Sequence, residues 1–206
     1  MQLPAKNKAE ERIQVLQQEI EERQKELINL KKEACEGKAV EDYMLTSKEG
    51  IKIKLSELFG DSEELLMVHN MGKSCPYCTL WADEINGIAH HLYNRVPWVM
   101  ESPDSPEVQK EFADSRAWNF KMVSTQGTSL KEDLGFEPKP ESYWPGYSIF
   151  KKDEQGNITH YARDHFGPGD SYCGVWHFLE LLPNGVNGWI PKYSYDGQAV
   201  KGACCN

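Results

Sequence analysis

The segment LLMVHNMGKSCPYCTLWADEINGIAHHL, residues 65–92, decides the fold. It opens on a compact apolar run, Leu65-Leu66-Met67-Val68-His69, of a length that suits a central strand buried on both faces. It closes on Trp81, Ile85, Ile88 and Leu92, whose steps of four, three and four put them on one face of a helix. Gly87 weakens that helix locally. Between strand and helix stand Cys75-Pro76-Tyr77-Cys78.

That placement carries the chemistry. A cysteine at a helix start faces unpaired backbone N–H groups and the positive end of the helix dipole, and both favour thiolate over thiol. A free thiol titrates at about 8.5, and sites of this kind lower it by one to several units. Cys75 is therefore the expected nucleophile at an exposed helix end. Cys78, one turn on, is placed to attack a mixed disulfide. Pro76 suits the first helical turn, where its missing N–H has no intrahelical partner. Lys73 and Ser74 are candidates for stabilising the thiolate. Tyr77 offers a flat surface to a substrate, and Trp81 either shields the site or packs as an ordinary core aromatic. His69, at the end of the strand, is placed to take a proton or to serve as a structural histidine.

Working outward, Val96-Pro97-Trp98-Val99-Met100 reads as a second parallel strand. Ser105-Pro106-Glu107 opens a helix reaching about Trp118, with Ser105 as cap and Pro106 in the first turn. Residues 120–124 form another strand and 130–135 a short helix or turn. Upstream, strands at 43–45 and 51–53 flank Ser47-Lys48-Glu49-Gly50 in a hairpin, followed by a helical turn at 55–60. Downstream, 147–151 and 158–161 flank Asp153-Glu154-Gln155-Gly156-Asn157 as an antiparallel hairpin. A last helix covers 171–182, with Tyr172, Val175, Trp176, Leu179 and Leu182 on one side. Pro145 precedes the hairpin. A cis peptide there would bring the Trp144 carbonyl and the Pro145 ring beside the dithiol, where an extended substrate could pair with the backbone; an ordinary trans proline is the alternative.

Residues 8–36 read as one long helix ended by Glu36-Gly37. Its apolar residues, Ile13, Leu16, Ile20, Leu27, Leu30 and Ala34, alternate steps of three and four around an interrupting Arg23, close to a heptad seam. That seam either pairs with its own copy in a homodimer or lies across the body of the same chain. The expected organisation is an amphipathic helix over 1–37, an α/β domain over 38–183 and an irregular tail over 184–206.

Composition narrows the function. Of 206 residues, 23 are basic and 32 acidic, for a net charge of −9. Residues 1–38 hold eight of each sign, so the deficit belongs to the body. An acidic body repels phosphate backbones and anionic membrane surfaces, which argues against nucleic-acid or membrane partners. No apolar run approaches the length of about 18 that a membrane span needs, and the first residues lack a secretory core, pointing to the cytoplasm. The six cysteines, at 35, 75, 78, 173, 204 and 205, suit reactive or metal-binding thiols rather than a disulfide scaffold. The metal alternatives are the Cys75–Cys78 pair supplemented from elsewhere, a loose set of His160, His165, Cys173 and His177, and the adjacent pair Cys204-Cys205. The site as read assigns no metal ligand.

The order strand, Cys-Pro-Tyr-Cys, helix, strand, helix, then Pro145 and a hairpin resembles the thioredoxin fold, a central mixed sheet flanked by helices. Cys-Pro-Tyr-Cys is similar to the motif of glutaredoxins. Residues 50–60 (GIKIKLSELFG) and 102–107 (SPDSPE) resemble corresponding segments of peroxiredoxins. More specifically, residues 75–87 (CPYCTLWADEING) resemble the bacterial thioredoxin-like family catalogued as domain of unknown function 899, a likeness covering roughly 10–185. The resemblance implies Cys75 as attacker, Cys78 as resolver and Pro145 as the cis-proline. It implies a thiol–disulfide oxidoreductase without bound cofactor, acting on a protein or small-molecule disulfide or a peroxide and regenerated by an upstream thiol reductant. A metal-binding protein and a non-catalytic interaction module are the alternatives. The peroxiredoxin frame Pro-x-x-x-Thr/Ser-x-x-Cys is not met: with Cys78 in its last place the others are Met71 and Cys75, and with Cys75 they are Val68 and Gly72.

Overall fold

The computed structural model describes residues 7–35 and 37–195. A single eight-stranded sheet organises them, in the order β1-β8-β7-β4-β5-β6-β2-β3. The strands are β1 (Lys38–Val40), β2 (Met44–Ser47), β3 (Lys52–Lys54), β4 (Glu64–His69), β5 (Trp98–Ser102), β6 (Met122–Ser124), β7 (Gly146–Lys152) and β8 (Ile158–His165). β4, β5 and β6 pair in parallel, and every other pairing is antiparallel. The parallel steps pass through α2 (Pro76–Arg95) and α3 (Pro106–Ser115), as parallel neighbours require a crossover. This is the expected thioredoxin-like arrangement.

The central strands are buried on both faces, so their residues alternate between two cores. Leu66 and Val68 of β4, with Trp98 and Met100 of β5, face Trp81, Ala82 and Ile85 of α2. Leu65, Met67 and Val99 face the opposite core, with Leu55, Leu58 and Phe59 of a 3₁₀ turn and Leu130 of α4 (Leu130–Asp133). Dual burial explains why β4 reads as an unbroken apolar run rather than an alternation.

Several boundaries differ from the sequence expectation. β1 was not anticipated: Lys-Ala-Val has no pattern, and it is a strand because the β8 edge supplies its hydrogen-bond partners. α1 (Lys8–Glu33) starts at Asn7, whose side chain accepts from the Glu10 N–H while Glu10 accepts from the Asn7 N–H. It ends at Ala34 instead of Gly37, which sits three residues further on in the left-handed region; Glu36 lies outside the described residues. α3 stops at Ser115, three residues early, and Ala117 takes a positive φ that turns the chain so that the Trp118 N–H returns to the Ala113 carbonyl. The last helix, α5 (Gly174–Glu180), is shorter than expected. The Tyr172 N–H is taken by Asp170, which makes the preceding segment a turn, and Leu182 is exposed instead of completing the expected apolar face.

Beneath the sheet's central strands runs a buried polar chain. Glu101, His69, Lys131, Ser148 and His160 are all essentially inaccessible. Lys131 Nζ lies 2.7 Å from a Glu101 oxygen that also receives His69 Nδ1 at 2.6 Å, while Thr125 donates to the other oxygen at 3.1 Å. Ser148 Oγ lies 2.8 Å from His69 Nε2 and 2.9 Å from His160 Nε2. With Glu101 ionised, one proton arrangement satisfies this chain: His160 donates to Ser148, Ser148 to His69, and His69 to Glu101. Phe136 stacks on the His69 ring at 3.7 Å. Burial therefore holds both histidines neutral and lowers each to about 4. Glu101 is also held low, because Lys131 and His69 outweigh the desolvation that raises it.

Two outcomes follow from this packing. In the unfolded chain His69 and His160 take up protons near their ordinary 6.5, whereas the folded state refuses them until about pH 4. The unfolded state binds more protons across that window, so stability falls as pH drops from 6.5 to 4. Thermal melts over this range should show a steady loss of Tm, reduced in His160→Gln; a flat profile in wild type contradicts the assignment. Second, Gly146 opposes His165 in the β7–β8 ladder, and a Cβ there would lie 2.1 Å from the Asp164 carbonyl oxygen and 2.7 Å from the Phe136 ring. Gly146→Ala should cost about 1–3 kcal/mol or more, read as a drop in urea midpoint.

Candidate active site

The end of β4 delivers the chain to a loop that places Cys75 as the N-cap of α2. The Cys75 backbone is extended, and its sulfur accepts the Cys78 backbone N–H at 3.1 Å. Pro76 opens the helix at the position where an N–H would be idle. The Thr79 hydroxyl donates to the Cys75 carbonyl at 3.0 Å, and the Met71 N–H approaches the Cys78 sulfur at 3.5 Å. Both thiols are unbridged. Cys78 is 2% exposed and Cys75 8%, so Cys75 is more enclosed than a helix end suggests. Enclosure arises because Cys75 belongs to the same buried core cluster as Cys78, Trp118 and Trp176.

The two sulfurs differ sharply in acidity. A hydrogen bond from the Cys78 thiol, together with the backbone N–H groups of Cys78 and Tyr77, overcomes burial and brings Cys75 down to about 7. The same sulfur–sulfur hydrogen bond, burial and the Cys75 charge push Cys78 far above an ordinary thiol, partly opposed by the Met71 N–H and the Lys131 charge. One thiol is thus prepared as an anion while its neighbour holds the proton that stabilises it.

Lys73 and Ser74 are exposed and neither contributes to the Cys75 shift, which comes from the hydrogen bonds of α2 itself. The Lys73 role lies in its backbone: its N–H donates to Asp104 at 2.7 Å. Gly72 donates to Asn70 Oδ1 at 2.8 Å and holds φ at +100°, with the Asp104 carboxylate 3.0 Å from where a Cβ would stand. Asn70 and Asp104, neither singled out by the sequence, therefore set the loop that aims Cys75.

The Trp144–Pro145 peptide is trans, since no cis bond occurs among the described residues, and this corrects the cis expectation. The local backbone is already spoken for: Trp144 N–H donates to the Phe136 carbonyl at 2.8 Å, and the Pro145 carbonyl accepts from Phe166 at 2.9 Å, extending the β7–β8 pairing. Pro145 nevertheless lines one narrow crevice with Cys78, His69, Asn70, Met100 and Trp81. Trp144 turns to the surface, half exposed and edge-on to His165. Trp81 is a buried core aromatic at 3% exposure. Tyr77 is half-buried and stacks on Trp176 at 6.1 Å.

Other contributors escaped the sequence. The expected tail is irregular, but Trp189 and Tyr193 within it pack back onto the body. Trp189 meets Trp176 edge-on at 5.7 Å, Tyr193 meets Phe112 at 6.3 Å, and Arg116 donates to the Tyr193 carbonyl at 2.9 Å. Arg116 is itself fixed by an ion pair to Asp83, which also accepts from Trp118 at 2.8 Å. The Tyr193 hydroxyl is held above its ordinary value by burial and then by the Cys75 and Cys78 charges, which places it in the dithiol's field. The Glu84 carboxylate accepts the Gly174 N–H at 2.9 and 3.1 Å and so caps α5 from α2. Cys173, buried beside Glu84, is raised to about 12 and is unsuited to attack.

Among the described residues no three His, Cys, Asp or Glu side chains converge as a metal-ligand set. His160 belongs to the buried chain, Cys173 faces Glu84, and His177 is exposed beside Glu180. Cys204 and Cys205 lie outside the described residues. No helix among those residues is long and apolar enough to cross a membrane.

Comparison with known proteins bears on the fold and the family. The chain is similar to the peroxidoxin BcpB from Mycobacterium tuberculosis, at 22% identity over 62% of this chain and 85% of that one, with a TM-score of 0.50. It is also similar to an uncharacterized conserved protein from Geobacillus kaustophilus, at 15% identity over 77% and 85% of the two chains and a TM-score of 0.49. The mitochondrial 2-Cys peroxiredoxin from Plasmodium falciparum aligns at 14% identity over 63% and 82%, with a TM-score of 0.48. No curated protein matches the sequence. The model of the family described as "Bacterial protein of unknown function (DUF899)" matches residues 5–196, and the chain belongs to that family.

Proposed function

We propose that the protein is a thiol–disulfide oxidoreductase of a reducing compartment such as the cytoplasm, with Cys75 as nucleophile and Cys78 as resolving thiol. The observation that carries this reading is the paired acidity: a sulfur lowered to about 7 at the cap of α2, hydrogen-bonded to a thiol raised by that same contact. The Cys75 thiolate attacks a substrate disulfide, forming a mixed disulfide and expelling one substrate thiolate. That event removes the negative charge that had raised Cys78. Cys78 then loses its proton and attacks the Cys75 sulfur, closing the Cys75–Cys78 disulfide and releasing the second substrate thiolate. Two electrons pass to the substrate, and an external dithiol restores the pair. Tyr77, Trp144 and Pro145 are the proposed substrate-facing neighbours, with Pro145 acting from its trans position, while Trp81 serves the core.

Peroxide is a second acceptor class. Cys75 would form a sulfenic acid and release an alcohol or water, and Cys78 would then condense with it, losing water. The fold likeness to a peroxidoxin favours considering it, whereas the unmatched peroxiredoxin frame around Cys75 favours disulfides first.

Alkylation of Cys75 by iodoacetamide, followed by mass spectrometry across pH, should rise with a midpoint near pH 7, because the thiolate is the reacting form. Cys78→Ala removes the thiol donor and should move that midpoint upward. A wild-type midpoint at an ordinary thiol's value overturns the assignment. Reduction of a model disulfide with dithiothreitol as regenerant should fall at least about 100-fold in Cys75→Ser, and Cys78→Ser should accumulate a mixed disulfide at Cys75. Full turnover by Cys75→Ser removes the proposal.

A further inference from the structure

The seam of α1 does not face its own chain. Ile13, Leu16, Ile20, Leu27 and Leu30 are each 40–53% exposed, and no residue of this 26-residue helix is buried. Contact with the body runs through a different face near its end, where Lys31 pairs with Asp164, Lys32 lies over the Tyr161 ring, and Ile28 lines a crevice floored by Leu66, Val68 and Ile149. Of the two readings open to the sequence, the helix laid across its own domain is therefore set aside for the seam residues.

We propose that α1 of one copy pairs antiparallel with α1 of a second copy. In an antiparallel pair, a and d positions of the heptad face each other. With Ile13, Ile20 and Leu27 at a and Leu16, Arg23 and Leu30 at d, one register satisfies every layer: Ile13 opposes Leu30, Leu16 opposes Leu27, and Ile20 opposes Arg23. All apolar seam residues then find apolar partners except Ile20.

Charge selects the orientation. Residues 8–22 carry two basic and five acidic side chains, whereas 23–33 carry four basic and two acidic, so antiparallel pairing sets opposite halves together. The flanking positions of that register oppose Arg12 to Glu33 and Gln17 to Gln24, with one like pair, Glu19 and Glu26; Lys31, opposite Glu10, is already held by Asp164 of its own body and adds no pair across the seam. That like pair flanks the layer holding Arg23, whose guanidinium already reaches Glu26 of its own helix at 2.7 Å. A parallel in-register pair would instead stack Arg23 on Arg23 in the seam, at the cost of two like charges in one layer. Arg23 thus disfavours the parallel dimer and is accommodated in the antiparallel one.

Sedimentation of the full chain over a concentration series tests this with exposed residues only, so folding, checked by circular dichroism, is preserved. Wild type should show a monomer–dimer equilibrium that Leu16→Glu with Leu27→Glu weakens at least about 30-fold. Arg12→Glu alone and Glu33→Arg alone should each weaken it several-fold, and the two together should restore it, because these positions meet only in the antiparallel register. Arg23→Leu with wild-type flanks should tighten association. A chain monomeric throughout, a dimer indifferent to the seam variants, or charge reversals that add instead of cancelling overturns the proposal. The Cys75 alkylation profile should be unchanged in all these variants, so this test stands apart from that of the dithiol.

Discussion

A sulfur atom serving as a helix cap is the interaction on which the site depends. Helix N-termini leave backbone donors without partners, and an oxygen side chain normally satisfies one of them. Here Cys75 does so, accepting from the Cys78 backbone while the Cys78 thiol donates to it as well. The cap explains why α2 begins where it does, why Pro76 is tolerated beside it, and why an enclosed thiol is nevertheless acidic. Burial alone would raise it. Converging donors reverse that sign, and the reversal at Cys75 is what raises Cys78.

The cap is held in place by polar groups from elsewhere in the chain. Asn70 and Asp104 take the Gly72 and Lys73 N–H groups, which fixes the loop between β4 and α2. Deeper, Glu101 with Lys131 and His69 forms a satisfied ionic chain between the strands. A buried charge cluster of this kind is weak evidence for added stability, yet removing one member leaves an unpaired charge. Its consequence here is geometric. It couples β4, β5, β7, β8 and α4 at the edge of the crevice that Cys78 and Pro145 share. The Lys131 charge reaches far enough to be felt at Cys78.

Much of the fold was legible because its signals are periodic and local. The apolar run of β4, the helical face of Trp81, Ile85 and Leu92, the Ser105-Pro106 start of α3 and the β7–β8 turn each follow from a few adjacent residues. The misplaced features share a cause in long-range pairing. β1 has no pattern of its own and exists through β8. The shortened α5 owes its start to Glu84, 90 residues away. Trp189 and Tyr193 are drawn back onto the body by Trp176, Phe112 and Arg116. The cis-proline expectation failed for the same reason, since Phe136 and Phe166 had already engaged the backbone of Trp144 and Pro145.

From its residues alone, the chain determines an α/β order with two cysteines at a helix start, because strand length, helical period and cap chemistry are encoded within one or two turns of chain. It also encodes the seam of α1 and the charge asymmetry along it. Tertiary structure alone decided how enclosed Cys75 is and that the seam points away from the body, whereas the groups that acidify Cys75 stand within three residues of it. Enclosure and exposure are sums over neighbours distant in sequence, and they have no value until the chain has closed upon itself.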